Sequence, residues 1–232
     1  MALTITVAER FQLVGREIDR ACADAGRDPA GVRLLPVTKT QPLAVIRQAI
    51  DVGWRRFGEN RVQELSAKAS ALLDDPSVEW ELIGQLQRNK VAGALERIVR
   101  LQSLDSERLA QALESRLAAQ PERRLAVLVE VNTSGEATKA GLPPSEVLAF
   151  TRALRAYPHL EVEGLMTVAD RDPQRAEAGF ALMAELQDRL RQRDGGGWAE
   201  LSMGMSADYQ AAIAWGSTCL RLGTALFGPR PT

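Results

Sequence analysis

The chain has 232 residues, 45% of them hydrophobic and 25% charged, proportions that exclude a disordered, collagen-like or supercharged protein. Basic residues number 29 against 30 acidic, a formal net charge of −1, so no global positive field draws the chain to nucleic acid or to an anionic membrane. Cys22 and Cys219 lie far apart, outside any C-x-x-C or Cys/His cluster, which points to two buried thiols in a reducing compartment and away from zinc. The start MALTITVAERF has no basic region ahead of a long apolar run, and no stretch approaches the about 18 apolar residues of a membrane span. A soluble cytoplasmic protein is expected.

Apolar spacing of three and four predicts a helix from Val7 to Ala25. Arg33 to Thr38 reads as a short buried strand, although Pro36 inside it favours an edge or a bulge. Pro42 opens a helix through Ile50, Arg56 to Gly58 is a second strand, and a helix runs from Arg61 to Leu73. Strand Glu79 to Ile83, a short helix Asn89 to Ala94 and strand Ile98 to Gln102 follow. Next come helix Glu107 to Ala119 and strand Arg124 to Val131, then a helix capped by Ser145 and running to Ala156. Strand Leu160 to Met166, helix Pro173 to Arg193 and the stop Gly195-Gly196-Gly197 lead to strand Glu200 to Met203. Helix Ala207 to Trp215 and strand Cys219 to Leu222 complete the series.

Eight strands alternating with helices imply a parallel sheet, and eight such units in under about 250 residues match an α/β fold, a single (β/α)8 TIM-type barrel with an extra N-terminal helix. Residues 1–232 are expected to form one domain, since no linker, repeat or low-complexity tract divides them. A doubly wound open sheet is the alternative, but it lacks its G-x-G-x-x-G after the first strand. Function in a barrel sits at the C-terminal ends of the strands.

Lys39 falls at the end of the first strand. Lysines are usually solvated loop residues, yet only four of the 29 basic residues here are lysine: Lys39, Lys68, Lys90 and Lys139. A desolvated amine at the barrel mouth loses its charge and forms a Schiff base. The block FGENRVQE, Phe57 to Glu64, reads on its own as a turn with Asn60 capping a helix. Gly84 and Gln85 follow the third strand, Trp80 reads as core, and Met166 and Thr167 end the sixth strand. Ser202, Gly204 and Ser206 follow the seventh strand, while Gly223 and Thr224 follow the eighth and precede a further helical turn. Loops after strands seven and eight form the usual phosphate site of such barrels. A lysine on one side of the mouth and a phosphate nest on the other suggest pyridoxal phosphate held as an aldimine. Arg221 reaches the pyridine nitrogen in this arrangement, and because an arginine keeps its proton the cofactor becomes a poor electron sink. A barrel for some other phosphorylated metabolite stays open on these grounds.

The blocks VTKTQP, FGENRVQE, WELIGQLQRNK, GLMTVAD and SMGMSADYQAAIAWGSTCLRLGTALFG, running from Lys39 to Gly228, resemble the pyridoxal phosphate homeostasis protein family, which is similar to the N-terminal barrel of alanine racemase. The resemblance implies pyridoxal 5′-phosphate on Lys39 and its phosphate around Ser206, Gly223 and Thr224. It also implies Arg221 at the ring nitrogen, with Asn60 and Met166 lining the ring. Lys139, in GEATKAGL, matches a position usually lysine in the family, which suggests a secondary anionic contact; a solvated loop lysine is the alternative. Three residues depart from the family pattern: Glu81 stands where His is common, Pro36 where a small residue is common, and Arg61 where Tyr is common.

Racemisation needs an acid/base on each face of the cofactor, and in the racemases a separate β-domain supplies one. His159 precedes the sixth strand, at the opposite end of the barrel, Tyr157 is beside it, and Tyr209 reads as packing. No second base is visible. The resemblance therefore implies a non-enzymatic carrier that maintains vitamin B6 and amino-acid homeostasis, with apo-enzymes as recipients of the cofactor. Without the racemase's second domain, a monomer is expected. A pyridoxal phosphate-dependent amino-acid racemase is the alternative.

Overall fold

The computed structural model describes residues 5–136 and 138–229. The N-terminal four residues used in reading the chain's start lie outside them. Helix α1 (Val7–Asp24) opens on a capping box, in which the Thr6 hydroxyl accepts from the Glu9 amide and the Glu9 carboxylate accepts from the Thr6 amide. Its buried residues Phe11, Val14, Ile18 and Cys22 are the apolar stripe that the spacing predicts.

Eight parallel strands then alternate with helices: β1 (Arg33–Pro36), α2 (Leu43–Asp51), β2 (Arg56–Glu59), α3 (Val62–Ala71), β3 (Glu79–Leu82) and α4 (Val91–Leu95). The second half continues with β4 (Ile98–Leu104), α5 (Glu107–Leu117), β5 (Leu125–Glu130), α6 (Val147–Ala153) and β6 (Leu160–Met166). It ends with α7 (Pro173–Asp194), β7 (Glu200–Ser202), α8 (Tyr209–Ala214), β8 (Cys219–Leu222) and the short α9 (Thr224–Phe227). This is the (β/α)8 barrel that the alternation implies.

The strands pair in the order β1-β8-β7-β6-β5-β4-β3-β2, and the circle closes between β1 and β2 through one parallel bridge, Val37 to Gly58. Pro36 explains the thin seam. The amides of Arg33 and Val37 bond β8 residues or their neighbours, Thr218 and Leu222, whereas the amide of Thr38 bonds Gly58 on β2. Strand alternation therefore turns residue 36 toward β2, where a proline has no N–H to give. Pro36 is inside a real strand, on the side where pairing is missing, as the edge rule requires.

Two helix starts differ from expectation. Ser145 does not cap a helix: a 3-10 turn spans Pro144–Glu146 and leads into α6, because Pro144, with its fixed φ, starts the turn one residue earlier. Asn60 does not cap α3 either, since the N-cap position is Arg61 and no side chain bonds there.

The apolar core lies between barrel and helices, where Trp80 is 3% exposed and packs on Phe57 with ring centroids 5.7 Å apart. Burying each such side chain contributes about 1.5–3 kcal/mol. The lower barrel interior is polar instead. Glu81, wholly buried, meets Arg33 at 2.8 Å, Arg33 meets Glu200 at 2.5 Å, and Arg100 meets Glu163 at 2.5 Å. Charges in a barrel interior must be paired to be tolerated, and here they fill the end opposite the mouth. Glu81 is thus accounted for: it anchors the plug.

Candidate functional site

Lys39 lies two residues beyond the Val37 bridge, half-buried at the C-terminal end of β1. Adjacent β8 ends at Leu222 and delivers Gly223 and Thr224 to the same place, so that Val37, Lys39, Gln41, Gly223 and Thr224 line one small cavity. Gly223 passes so close to β1 that a Cβ there would stand 3.2 Å from the Val37 carbonyl oxygen. From the loop after β7, the Ser206 hydroxyl accepts from the amide of Ala225 at 3.2 Å. Lys39, Ser206, Gly223 and Thr224 are therefore brought together.

Arg221, only 4% exposed, donates to the Ser202 hydroxyl at 2.7 Å and to the Thr167 carbonyl at 2.6 Å. Burial pulls its pKa below the usual guanidinium value, yet an arginine remains a pure donor. Ser202 in turn donates to Gln102 at 2.7 Å, and Gln102 donates to Glu81 at 2.6 Å. A polar column thus descends from Arg221 to the ionic plug. Met166, fully buried, stands in register with Ser202 and Glu130 on its two neighbouring strands. Register partners share a face, so Met166 belongs to the interior layer beside Arg221. Asn60 sits apart from the Lys39 cavity, in a neighbouring groove with Glu64, Gln85 and Lys90. Gly84 lets β3 approach it, since a Cβ on Gly84 would fall 2.2 Å from the Asn60 carbonyl oxygen.

Three features escaped the reading of the chain. At the ends of β4 and β5, Asp105 and Glu130 face one another across Gln85, whose amide donates to Glu130 at 2.5 Å. Burial, aided by the charge of Asp105, raises Glu130 to about 7, and burial likewise raises Asp105. Position at strand ends was the signal available for both. The third is Lys68, buried on α3 and bound to Thr38, Glu59 and Glu64; its rarity in an arginine-rich chain marked it.

Lys139 meets Glu136 at 2.8 Å and Asp170 at 3.9 Å. His159 bonds Glu114 at 2.5 Å and precedes β6, at the end of the barrel opposite the mouth. The Tyr209 hydroxyl donates to Glu17 on α1 at 2.6 Å, which ties it to the helical layer. Among the described residues no three acidic, His or Cys side chains gather as a metal site, and no helix is long and apolar enough to cross a membrane.

The donor set suits a phosphorylated aldehyde: an amine at one end of a strand pair, backbone amides and hydroxyls at its neighbour, and a buried cation behind them. The family model for the alanine racemase N-terminal domain matches residues 20–231. The pyridoxal phosphate homeostasis protein of Pseudomonas aeruginosa is 42% identical over 228 residues, covering 97% of this chain and 96% of that one. The human protein of the same name is 38% identical over 245 residues, covering 99% and 89%. Among solved structures, PipY of Synechococcus elongatus with pyridoxal phosphate bound superposes with a TM-score of 0.79 at 36% identity, covering 91% of this chain and all of that one. An alanine racemase of Clostridium difficile, at 15% identity and a TM-score of 0.68, shares the barrel alone. By sequence over nearly its whole length, the chain belongs to the pyridoxal phosphate homeostasis protein family.

Proposed function

We propose that this chain binds pyridoxal 5′-phosphate on Lys39 and acts as a carrier that maintains vitamin B6 and amino-acid homeostasis. The observation that carries the reading is the single cavity shared by Lys39, Gly223 and Thr224 at the adjoining ends of β1 and β8. Lys39 would supply the amine that holds the cofactor through its aldehyde, chemistry that makes the cofactor, when bound, a covalent lysine adduct. Ser206, Gly223 and Thr224 would hold the phosphate with hydroxyls and amides. Arg221, fixed by Ser202 and Thr167, would stand at the ring nitrogen and, as a pure donor, would leave it unprotonated. Met166, on β6, and Asn60, in the loop after β2, would line the ring.

The carrier role is supported by where Tyr209 and His159 stand. Tyr209 is tied by Glu17 to the helical layer, and His159 is engaged by Glu114 at the end of the barrel opposite the mouth. The names of the relatives point the same way. Residues 1–232 work as one cofactor-binding domain, monomeric in the cytoplasm, with apo-enzymes as recipients.

The test is the ultraviolet–visible spectrum of purified protein before and after borohydride, beside Lys39→Ala. A yellow band that borohydride fixes onto Lys39 and that the variant loses is expected. A protein that stays colourless with excess pyridoxal phosphate overturns the proposal.

A further inference from the structure

The Lys68 ammonium has three N–H groups, and all three are used: on the Thr38 carbonyl at 2.6 Å, on Glu59 at 2.5 Å and on Glu64 at 2.7 Å. The same Glu64 oxygen accepts the Thr40 amide at 2.6 Å, and Glu59 accepts the Thr38 hydroxyl at 2.6 Å. A closed ring results, from the Thr38 carbonyl through Lys68 and Glu64 to the Thr40 amide. The residue it encloses is Lys39.

Three acceptors converging on one nitrogen suit a compact ammonium and not a planar guanidinium, whose donors diverge. That is a reason for lysine at 68 in a chain with only four lysines among its 29 basic residues. Thr40 also stands at φ 63°, a left-handed conformation that side-chain-bearing residues adopt rarely and that needs outside support. The Glu64 bond to its amide is such support. Both peptide groups flanking Lys39 are thereby held, and with them the direction in which its side chain leaves the backbone.

We propose that Lys68 and Glu64 are positioning residues for Lys39, holding it in the orientation that attacks the cofactor's aldehyde. The inference rests on Lys39 being the attachment lysine and deepens that reading. Small misplacement of a reacting group is costly, about 10²-fold for 1 Å, whereas binding of phosphate and ring does not depend on Lys39's aim.

The experiment mixes apoprotein with pyridoxal phosphate and follows the lysine-bound absorbance band in wild type, Lys68→Met, Glu64→Ala and Glu64→Gln. In parallel it measures affinity for pyridoxine 5′-phosphate, which has the phosphate and ring but no aldehyde. Lys68→Met and Glu64→Ala are expected to slow capture at least about tenfold with pyridoxine phosphate affinity unchanged. Glu64→Gln keeps an acceptor oxygen for Thr40 and is expected to capture near the wild-type rate. Capture at the wild-type rate in Lys68→Met, or equal loss for both ligands, overturns the proposal; if Lys68→Met does not fold, Glu64→Ala decides by the same comparison. Hydrogen exchange at the Thr40 amide gives a reading without cofactor: protection in wild type that is lost in Glu64→Ala supports the ring, and unchanged exchange refutes it. Failure of wild type itself to form the band counts against Lys39 as the attachment site, and the exchange result still decides the ring.

Discussion

Arg221 and Ser202 are joined by a 2.7 Å hydrogen bond wholly inside the barrel, and through it the mouth is coupled to Gln102, Glu81 and the ionic plug below. Ser202→Ala leaves one donor of a buried guanidinium and one acceptor of Gln102 unmatched. The expected loss is about 1.5–3 kcal/mol, as for a hydrogen bond to a charged group, read as a lower urea midpoint with unchanged slope. The absorbance of bound pyridoxal phosphate is expected to shift with it, since Arg221 loses a fixing contact.

Removing Glu81 tests the plug. Glu81→Ala leaves Arg33 and Arg100 facing a void with only Glu200 and Glu163 to answer them. Truncating one partner of a buried pair costs about 3–5 kcal/mol, and because Arg33 retains Glu200 the expected value is near the lower end. Denaturant unfolding measures it.

The protein is expected to lose stability as pH rises through the weakly acidic range. Burial and Asp105 raise Glu130 from its ordinary 4.5 to about 7, so between those values the folded chain holds a proton that the unfolded chain has released. Stability therefore falls from pH 4.5 to 7, by up to about 3 kcal/mol from this group. Glu130→Gln, which keeps the acceptor for Gln85 and cannot ionise, is expected to flatten that part of the profile. Unfolding at a series of pH values in both proteins checks the slope.

Neither thiol is expected to react in the native state. Cys22 and Cys219 are both fully buried, and burial pushes the Cys219 thiol up to about 12 and raises Cys22 as well. The thiolate is the reactive form. Titration with a chromogenic disulfide reagent should find no thiol before denaturation and two afterwards.

What the chain discloses by itself depends on the distance over which a contact acts. The barrel follows from local rhythm, and the placing of Lys39, Gly223 and Thr224 around one cavity follows from their positions at the ends of β1 and β8. Trp80 in the core and the helical turn after Gly223 also read correctly. Asn60 and Ser145 as caps did not, because the helix boundary falls beside them: the N-cap position of α3 is Arg61, and Pro143 and Pro144 start a 3-10 turn before α6. The column Arg221–Ser202–Gln102–Glu81 was out of reach, since its members come from four strands and Gln102 and Ser202 are 100 residues apart. Glu130 and Asp105 were within reach of the strand-end rule but were passed over in favour of His and Tyr.

The proline seam has a mechanical meaning. Most neighbouring strands register over three or more residues, but among the described residues β1 and β2 are joined by the single Val37–Gly58 bridge, so backbone pairing here is a latch and not a zip. Side chains take over where the stitching stops: the Thr38 hydroxyl on Glu59 and Lys68 on both staple the two strands together just below Lys39. A change in those side chains would therefore be felt as a parting of strands, and the first amide to report it is that of Thr38, bonded across the latch to Gly58.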